Sequence, residues 1–262
     1  MKKTLLFILS VVGLILSASG NAQEKPDSVR VLFIGNSFTH VNDVPKTVQQ
    51  IAASQGMNMA YTQFTPGGYY LAGHVKNDDL IRTIKQGGWD YVVIQEQSAA
   101  PAMPTEVVLR NTYPAARTLD SLVLAYNRNA KVIFYMTWGH KDGCQEEVSD
   151  YPLIYTYNGM QDRLKISYLE MAYRNNAWCA PVGMAWQRVR NERPDYVLYA
   201  PDRSHPSPLG SYLASNVIFT TIYRQPYQTK EIMDFSPEQA EYIQQVAQQT
   251  VFGNLKLLNI EK

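Results

Sequence analysis

Short apolar segments alternate with longer segments of helical periodicity along most of this chain. The apolar segments are five to seven residues long, and apolar residues in the intervening stretches recur every three or four positions. This alternation is typical of a parallel sheet whose strands are joined by covering helices. We therefore predict an α/β fold with strands over residues 30–34, 58–64, 91–95, 132–137 and 177–182.

The stretches between these strands indicate helices, and two of them carry clear start signals. Ser207 and Pro208 suit the cap and the first turn of a helix. Ser236, followed three residues later by Gln239, has the pattern of a capping box. Because no repeat or interdomain linker interrupts the alternation, we expect one doubly wound domain. The predicted helices cover residues 44–55, 78–86, 104–126, 152–175 and 208–223, with a last one beginning at 236.

The first 22 residues have the pattern of a secretory signal peptide. Lys2 and Lys3 precede an apolar stretch over residues 4–16, and small residues lead to a cleavage position after Ala22. That stretch is too short to cross a bilayer with ease, and no later segment has 18 uninterrupted apolar residues. We therefore expect a secreted or periplasmic protein, without a membrane span after cleavage, whose single domain covers residues 27–262.

Charge and cysteine content narrow the classes of partner. Loss of Lys2 and Lys3 reduces the 24 basic residues to 22 against 23 acidic ones, and no basic tract contains interleaved aromatic residues. This composition gives no indication of nucleic-acid binding. Histidines, cysteines and carboxylates show no metal-ligand spacing, so we expect no metal and no other cofactor. Cys144 is in a polar loop and Cys179 in a predicted strand, so we expect no disulfide between them.

The candidate chemistry comes from the two ends of the predicted domain. Ser37 follows the first strand in a Gly-Asn-Ser turn and precedes a helix-like segment. Backbone N–H groups without a partner at the start of a helix favour negative charge there, which suits a nucleophile. Asp202 and His205, near the other end of the chain, supply the remaining side chains of a Ser-His-Asp arrangement.

These residues resemble the sequence blocks of the SGNH (GDSL-like) hydrolase family, in particular its secreted bacterial branch with a FIGNSF first block. The resemblance implies a flavodoxin-like three-layer α/β/α fold with five parallel strands, the number predicted above. It also implies that Ser37 is the nucleophile and that Asp202 and His205 complete the catalytic triad. The corresponding blocks are Gly35-Asn36-Ser37, Gly67-Gly68, Gln95-Glu96-Gln97-Ser98 and Asp202 to His205.

The third block departs from the family pattern. The family usually has Gly-x-Asn-Asp after an apolar strand, and the asparagine of that block, which helps to form the oxyanion hole, is missing here. Aligning the strands puts Gln97 in its place, and a glutamine amide offers the same donor on a longer arm. We therefore expect an oxyanion hole formed by the backbone N–H of Ser37, that of Gly67 or Gly68, and the Gln97 side chain.

Other residues near the predicted strand ends are candidate substrate contacts. His40, one helical turn after the serine, either lines the pocket or is a surface or capping histidine. His74, six residues after the second block, is placed to close the site. Trp138 follows the fourth strand and is either a substrate platform or a structural residue. Glu96 either orients Gln97 or is solvated.

The sequence thus predicts a secreted serine esterase that hydrolyses an ester through an acyl-enzyme and acts on acetylated carbohydrate or another small ester. The preference for a glycan rests on analogy with the family. Because the third block is altered, the alternative is a non-catalytic glycan-binding protein on the same fold. A flavodoxin-like cofactor carrier would leave Asp202 and His205 without a role.

Overall fold

The computed structural model describes residues 28–144, 150–229 and 235–260, so the predicted signal peptide, residues 1–22, lies outside the described residues. The strands form one sheet in the order β2-β1-β3-β4-β5, and every neighbouring pair is parallel. The predicted α/β fold with a five-stranded parallel sheet is confirmed. The strands are β1 Ser28–Ile34, β2 Asn58–Phe64, β3 Tyr91–Ile94, β4 Lys131–Tyr135 and β5 Trp178–Ala180.

Helices follow every strand, and two of them, over Ser37–His40 and Leu71–His74, are single turns at the sheet edge. Short 3-10 helices cover Ala100–Ala102 and Pro152–Ile154. Within the described ranges the α-helices are α1 Ser37–His40, α2 Val44–Ser54, α3 Leu71–His74, α4 Asp78–Lys85, α5 Thr105–Tyr126, α6 Tyr157–Arg174, α7 Val182–Glu192, α8 Pro208–Tyr223 and α9 Pro237–Phe252.

The predicted boundaries differ from the structure by one or two residues at most elements and by more at the start of one helix. The helix predicted from residue 152 begins at Tyr157, because Thr156 caps it by accepting a hydrogen bond from the Gly159 N–H. The last strand stops at Ala180, before a proline that cannot donate to a sheet ladder. The helices α7 and α3 were not predicted.

The direction of the strand connections places helices on both faces of the sheet. The chain moves from β1 to β2 in one direction and from β2 through β3, β4 and β5 in the other. Because such crossovers are right-handed, α2 covers one face and α4, α5 and α6 cover the opposite face. The contacts agree, since α2 packs on α8 and α8 on α9, while α5 packs on α4 and α6.

The reversal of strand order lies between β1 and β3, where open α/β sheets bind their ligands. These strands pair in register up to Ile34 and Ile94, both fully buried. Ser37 and Gln97 each follow three residues after this last pair, so the topology brings the first and third blocks to one edge. This strand order is the flavodoxin-like one.

Two further expectations concern the cysteines and the membrane. Cys144 and Cys179 are both buried and do not form a disulfide with each other, as predicted. Among the helices of the described ranges, none combines the length and the hydropathy that crossing a bilayer requires.

Candidate active site

Ser37 lies in a tight turn between β1 and α1. The side chain of Asn36 caps α1 by accepting a hydrogen bond from the Phe38 N–H at 3.1 Å. A Cβ atom on Gly35 would lie 2.6 Å from Oε1 of the buried Gln95, so only glycine fits at this position without displacement. The turn therefore holds the Ser37 hydroxyl at the first residue of a helix, beside N–H groups that lack helical partners.

The structure brings together three side chains that are distant in sequence. His205 Nε2 is 2.8 Å from Ser37 Oγ, and His205 Nδ1 is 2.6 Å from Asp202 Oδ2. The other carboxylate oxygen of Asp202 accepts from the Ser204 and His205 N–H groups at 3.0 and 2.9 Å. Burial opposes ionisation of Asp202, but these hydrogen bonds outweigh it and hold the pKa of its carboxyl below the usual value. An ionised Asp202 keeps the proton of His205 on Nδ1 and leaves Nε2 free to accept the serine proton.

A tight loop makes this arrangement possible between residues only three positions apart. Arg203 has a φ of 65°, in the left-handed region. That conformation costs a residue with a side chain about 1–2 kcal/mol, and it folds the Asp202 carboxylate back onto His205. The loop is closed by a hydrogen bond from the Ala200 N–H to the His205 carbonyl at 2.9 Å. Beyond it, Ser207 caps α8 and gives the loop a rigid support.

Trp138 is fully buried beneath the His205 loop. Its ring stacks on Phe38, with centroids 4.6 Å apart, and on Trp186, with centroids 4.0 Å apart. Its Nε1–H donates to the Ser204 carbonyl at 3.1 Å, and Phe38 in turn packs edge-on against the His205 ring. Because a fully buried ring cannot contact substrate, the prediction of a substrate platform is wrong and the structural alternative is correct.

Ser37 and His205 border a cleft of about 300 Å³. Its lining includes Ser37, Gly67 and Gly68, whose backbone N–H groups have no acceptor among the described residues. Gly68 has a φ of 65°, which glycine adopts without strain. These N–H groups remain available for an oxyanion. The cleft is lined by Asn36, Ser37, Phe38, Gly67, Gly68, Gln97, Ser98, Ser204 and His205.

The Gln97 side chain lines this cleft in a defined orientation. Its Oε1 accepts from the N–H groups of Ala99 and Ala100 at 2.8 and 3.0 Å. Because two donors fix the oxygen, the other end of the amide must be the nitrogen. That nitrogen donates to Ser98 Oγ at 3.3 Å and keeps a second N–H. Gln97 is therefore placed as a donor, and its catalytic role stays a prediction.

The two histidines predicted to contact substrate lie outside the cleft. His40 is exposed, and its Nδ1 hydrogen-bonds the Thr65 carbonyl, which matches the surface alternative. His74 is fully buried, and its Nε2 lies 2.7 Å from the Gly35 carbonyl. Burial lowers the pKa of His74, against the hydrogen bond to Gly35, so the neutral ring donates through Nε2. Because no surface of His74 is exposed, its predicted contact with substrate is wrong, and it instead supports the serine turn.

A buried amide pair connects the first and third blocks, which the sequence analysis did not predict. Gln95 Oε1 accepts from the Asn36 N–H at 3.0 Å, and Gln95 Nε2 donates to Asn36 Oδ1 at 2.9 Å. Asn36 Nδ2 also donates to the Tyr69 carbonyl of the second block at 2.9 Å. The available signal was that Asn36 and Gln95 lie within two residues of the ends of strands that would be neighbours in a flavodoxin-like order.

His140 lies behind the cleft, next to Ser98. Its Nε2 is 3.2 Å from Ser98 Oγ. Burial and the proximity of the His205 ring lower the pKa of His140, against the opposite effect of Asp202. In the tautomer with its proton on Nδ1, a neutral His140 accepts a hydrogen bond from the Ser98 hydroxyl, and the Ser98 oxygen accepts from Gln97.

Comparison with solved structures identifies proteins with a similar fold. A DUF4886 family protein from Bacteroides uniformis is 17% identical with a TM-score of 0.71, over 86% of this chain and 95% of that one. A predicted SGNH hydrolase from Slackia heliotrinireducens is 27% identical with a TM-score of 0.58, over 73% of this chain and 97% of that one. The chain thus has the fold of the SGNH hydrolases, and the resemblance to that family predicted from its sequence is confirmed.

The SGNH fold of this chain also occurs in an acetyl xylan esterase, AlAXEase. That enzyme is 13% identical with a TM-score of 0.53, over 73% of this chain and 98% of the esterase. At this identity the likeness concerns the fold alone. No protein-family model matches the chain, and no curated protein matches it.

Proposed function

We propose that this SGNH protein is a serine esterase with Ser37 as nucleophile, His205 as general base and Asp202 as the group that orients His205. The observation that carries the proposal is the continuous hydrogen-bonded chain from Ser37 Oγ through both ring nitrogens of His205 to Asp202. A serine hydroxyl is a weak nucleophile unless an adjacent base takes its proton. The separations of 2.8 and 2.6 Å are within the range needed for that transfer.

The reaction would proceed by two acyl transfers. Ser37 Oγ attacks the ester carbonyl while its proton moves to His205 Nε2, and the resulting oxyanion accepts hydrogen bonds from the Ser37 and Gly68 N–H groups and the Gln97 amide. His205 then protonates the leaving alcohol, and the acyl group stays on Ser37. In the second half, His205 deprotonates water, which attacks the acyl-enzyme and releases the carboxylic acid.

The cleft favours a small acyl group. Its volume of about 300 Å³ is at the lower limit of ligand pockets. An acetyl group fits such a space better than a long acyl chain does. The fold likeness to an acetyl xylan esterase and the predicted signal peptide support an acetylated carbohydrate, met outside the cytoplasm, as substrate.

Hydrolysis of 4-nitrophenyl acetate by the mature protein tests the proposal. We expect turnover that Ser37→Ala abolishes, and a fluorophosphonate adduct that peptide mapping assigns to Ser37. Release of acetate from acetylated xylan would test the substrate class separately. Wild-type hydrolysis no faster than that of Ser37→Ala would contradict the proposal and favour the glycan-binding alternative.

A further inference from the structure

Glu96 is a buried carboxyl group that the mechanism above does not use. Glu96 lies between Gln95 and Gln97 in the third block, and its side chain is only 2% exposed. In the described part of the chain it has no cationic partner, which makes its burial costly. Burial raises the pKa of Glu96 from 4.5 to about 7, against two backbone hydrogen bonds that lower it.

Those two hydrogen bonds connect separate blocks of the site. A single oxygen of Glu96, Oε1, accepts from the Leu71 N–H and from the Gln97 N–H, each at 2.8 Å. Leu71 is the first residue of α3 and directly follows the second-block loop. One carboxyl oxygen therefore holds the second block and the third block at a fixed separation.

The second-block end of this bridge supports the glycine donors. The N–H groups of Gly67 and Gly68 have no acceptor of their own among the described residues, so the loop is positioned by its anchors. One anchor is the hydrogen bond from Asn36 Nδ2 to the Tyr69 carbonyl at 2.9 Å. The other is the Glu96 bond to Leu71.

The third-block end supports the amide donor. Gln97 is fixed by Glu96 at its backbone N–H and by Ala99 and Ala100 at its side-chain oxygen. The backbone of Glu96 is itself held, because its N–H donates to the Tyr168 hydroxyl at 3.2 Å. Loss of the Glu96 side chain would thus release Gln97 at one of its two fixed points.

We propose that Glu96 is a positioning residue that sets the distance between the backbone donors of the second block and the Gln97 amide of the oxyanion hole. The inference rests on the proposed function, since it assigns Glu96 a role in the same acyl transfer. Displacing a donor by about 1 Å reduces catalysis by about 100-fold, because donors must match the oxyanion and not the ground-state carbonyl.

Kinetics of Glu96→Ala, Glu96→Gln and Glu96→Asp on 4-nitrophenyl acetate test this role. We expect Glu96→Ala to lower kcat about 100-fold with KM within about threefold of wild type. Glu96→Gln keeps an acceptor oxygen at the same reach and should stay within about threefold in kcat. Glu96→Asp keeps the carboxyl group but is one methylene shorter, so its kcat should fall at least tenfold.

Asp120→Ala provides the matched control, because Asp120 is another buried carboxyl, on α5, whose Oδ1 has no hydrogen-bond partner. This variant should leave kcat unchanged. An unchanged kcat in Glu96→Ala, or a kcat in Glu96→Gln as low as in Glu96→Ala, would overturn the inference.

Amide hydrogen exchange tests the bridge without turnover. The Leu71 and Gln97 amides should exchange at least tenfold faster in Glu96→Ala than in wild type or Asp120→Ala, and unchanged exchange would also overturn the inference. An inactive wild-type protein would instead refute the proposed function, while exchange would still decide whether the bridge exists. If Glu96→Ala does not fold, the comparison of Glu96→Gln with Glu96→Asp carries both measurements.

Discussion

Replacing Gln97 separates its role as a donor from its role in the local fold. Gln97→Ala removes both the Nε2 donor at the cleft and the Oε1 acceptor for Ala99 and Ala100. Gln97→Glu keeps an acceptor for those two N–H groups and puts an oxygen where the donor nitrogen lies. If Gln97 stabilises the oxyanion, the variant with the lower activity should therefore be the one with the higher stability.

The magnitudes follow from these contacts. Loss of one oxyanion donor costs about 3 kcal/mol in barrier, so kcat of Gln97→Ala should fall about 100-fold with little change in KM. The kcat of Gln97→Glu should fall at least about 1,000-fold, because a carboxylate repels the developing oxyanion. In stability the order reverses. Loss of the capping oxygen should cost Gln97→Ala about 1 kcal/mol, whereas Gln97→Glu should remain close to wild type.

Steady-state kinetics on 4-nitrophenyl acetate give kcat of each variant, and urea unfolding of the same preparations gives its free energy of unfolding. A burst of 4-nitrophenol would separate acylation from deacylation. Wild-type kcat in Gln97→Glu would refute the donor role, because the side chain of that variant has no N–H group. A change confined to KM would mean that Gln97 contacts the ground-state substrate instead.

Three further predictions concern the base, the serine turn and the buried carboxyl. His205→Ala should lower kcat by about 10⁴-fold or more without loss of the fold, measured by kinetics and circular dichroism, and retained activity would remove His205 from the triad. Gly35→Ala should lower the free energy of unfolding by about 2 kcal/mol, because its Cβ would lie 2.6 Å from Gln95 Oε1, whereas Gly67→Ala, with no atom within 4 Å, should not. Since the pKa of Glu96 is raised from 4.5 to about 7, folding favours its protonated form, and its contribution to stability is lost as the pH rises through that range. As the pH rises from 4.5 to 7, the free energy of unfolding of Glu96→Gln should increase by about 3 kcal/mol relative to that of wild type, measured by urea unfolding. A difference between the two proteins that does not vary with pH would contradict the raised pKa.

The fold was predictable because its signals are local. The bounds of β2 at Asn58–Phe64 and of α8 at Pro208–Tyr223 agree with the sequence analysis to the residue. The proximity of Ser37, Gly68 and Gln97 was predictable for a related reason. In a parallel sheet the residues after each strand meet at one edge, so a strand end places a side chain without any knowledge of its contacts.

The burial of individual side chains was not predictable in the same way. Trp138 follows a strand as a substrate platform would, but it is covered by Trp186, which lies on the unpredicted helix α7. His74 is buried because α3 packs it against the serine turn. A helix of four residues is too short for its periodicity to be detected in the sequence. Both errors arose at helices that were not predicted from the sequence, α7 and α3.

In the altered third block a glutamine stands where the family usually has an asparagine, and neighbouring groups hold its longer side chain in place. A glutamine has one more rotatable bond than an asparagine, and an unrestrained amide would lose binding energy to side-chain entropy. Here the N–H groups of Ala99 and Ala100 fix the amide oxygen, and the Glu96 carboxyl fixes the Gln97 backbone. The longer arm is therefore restrained at both ends, so a glutamine can supply the donor that the family usually takes from asparagine.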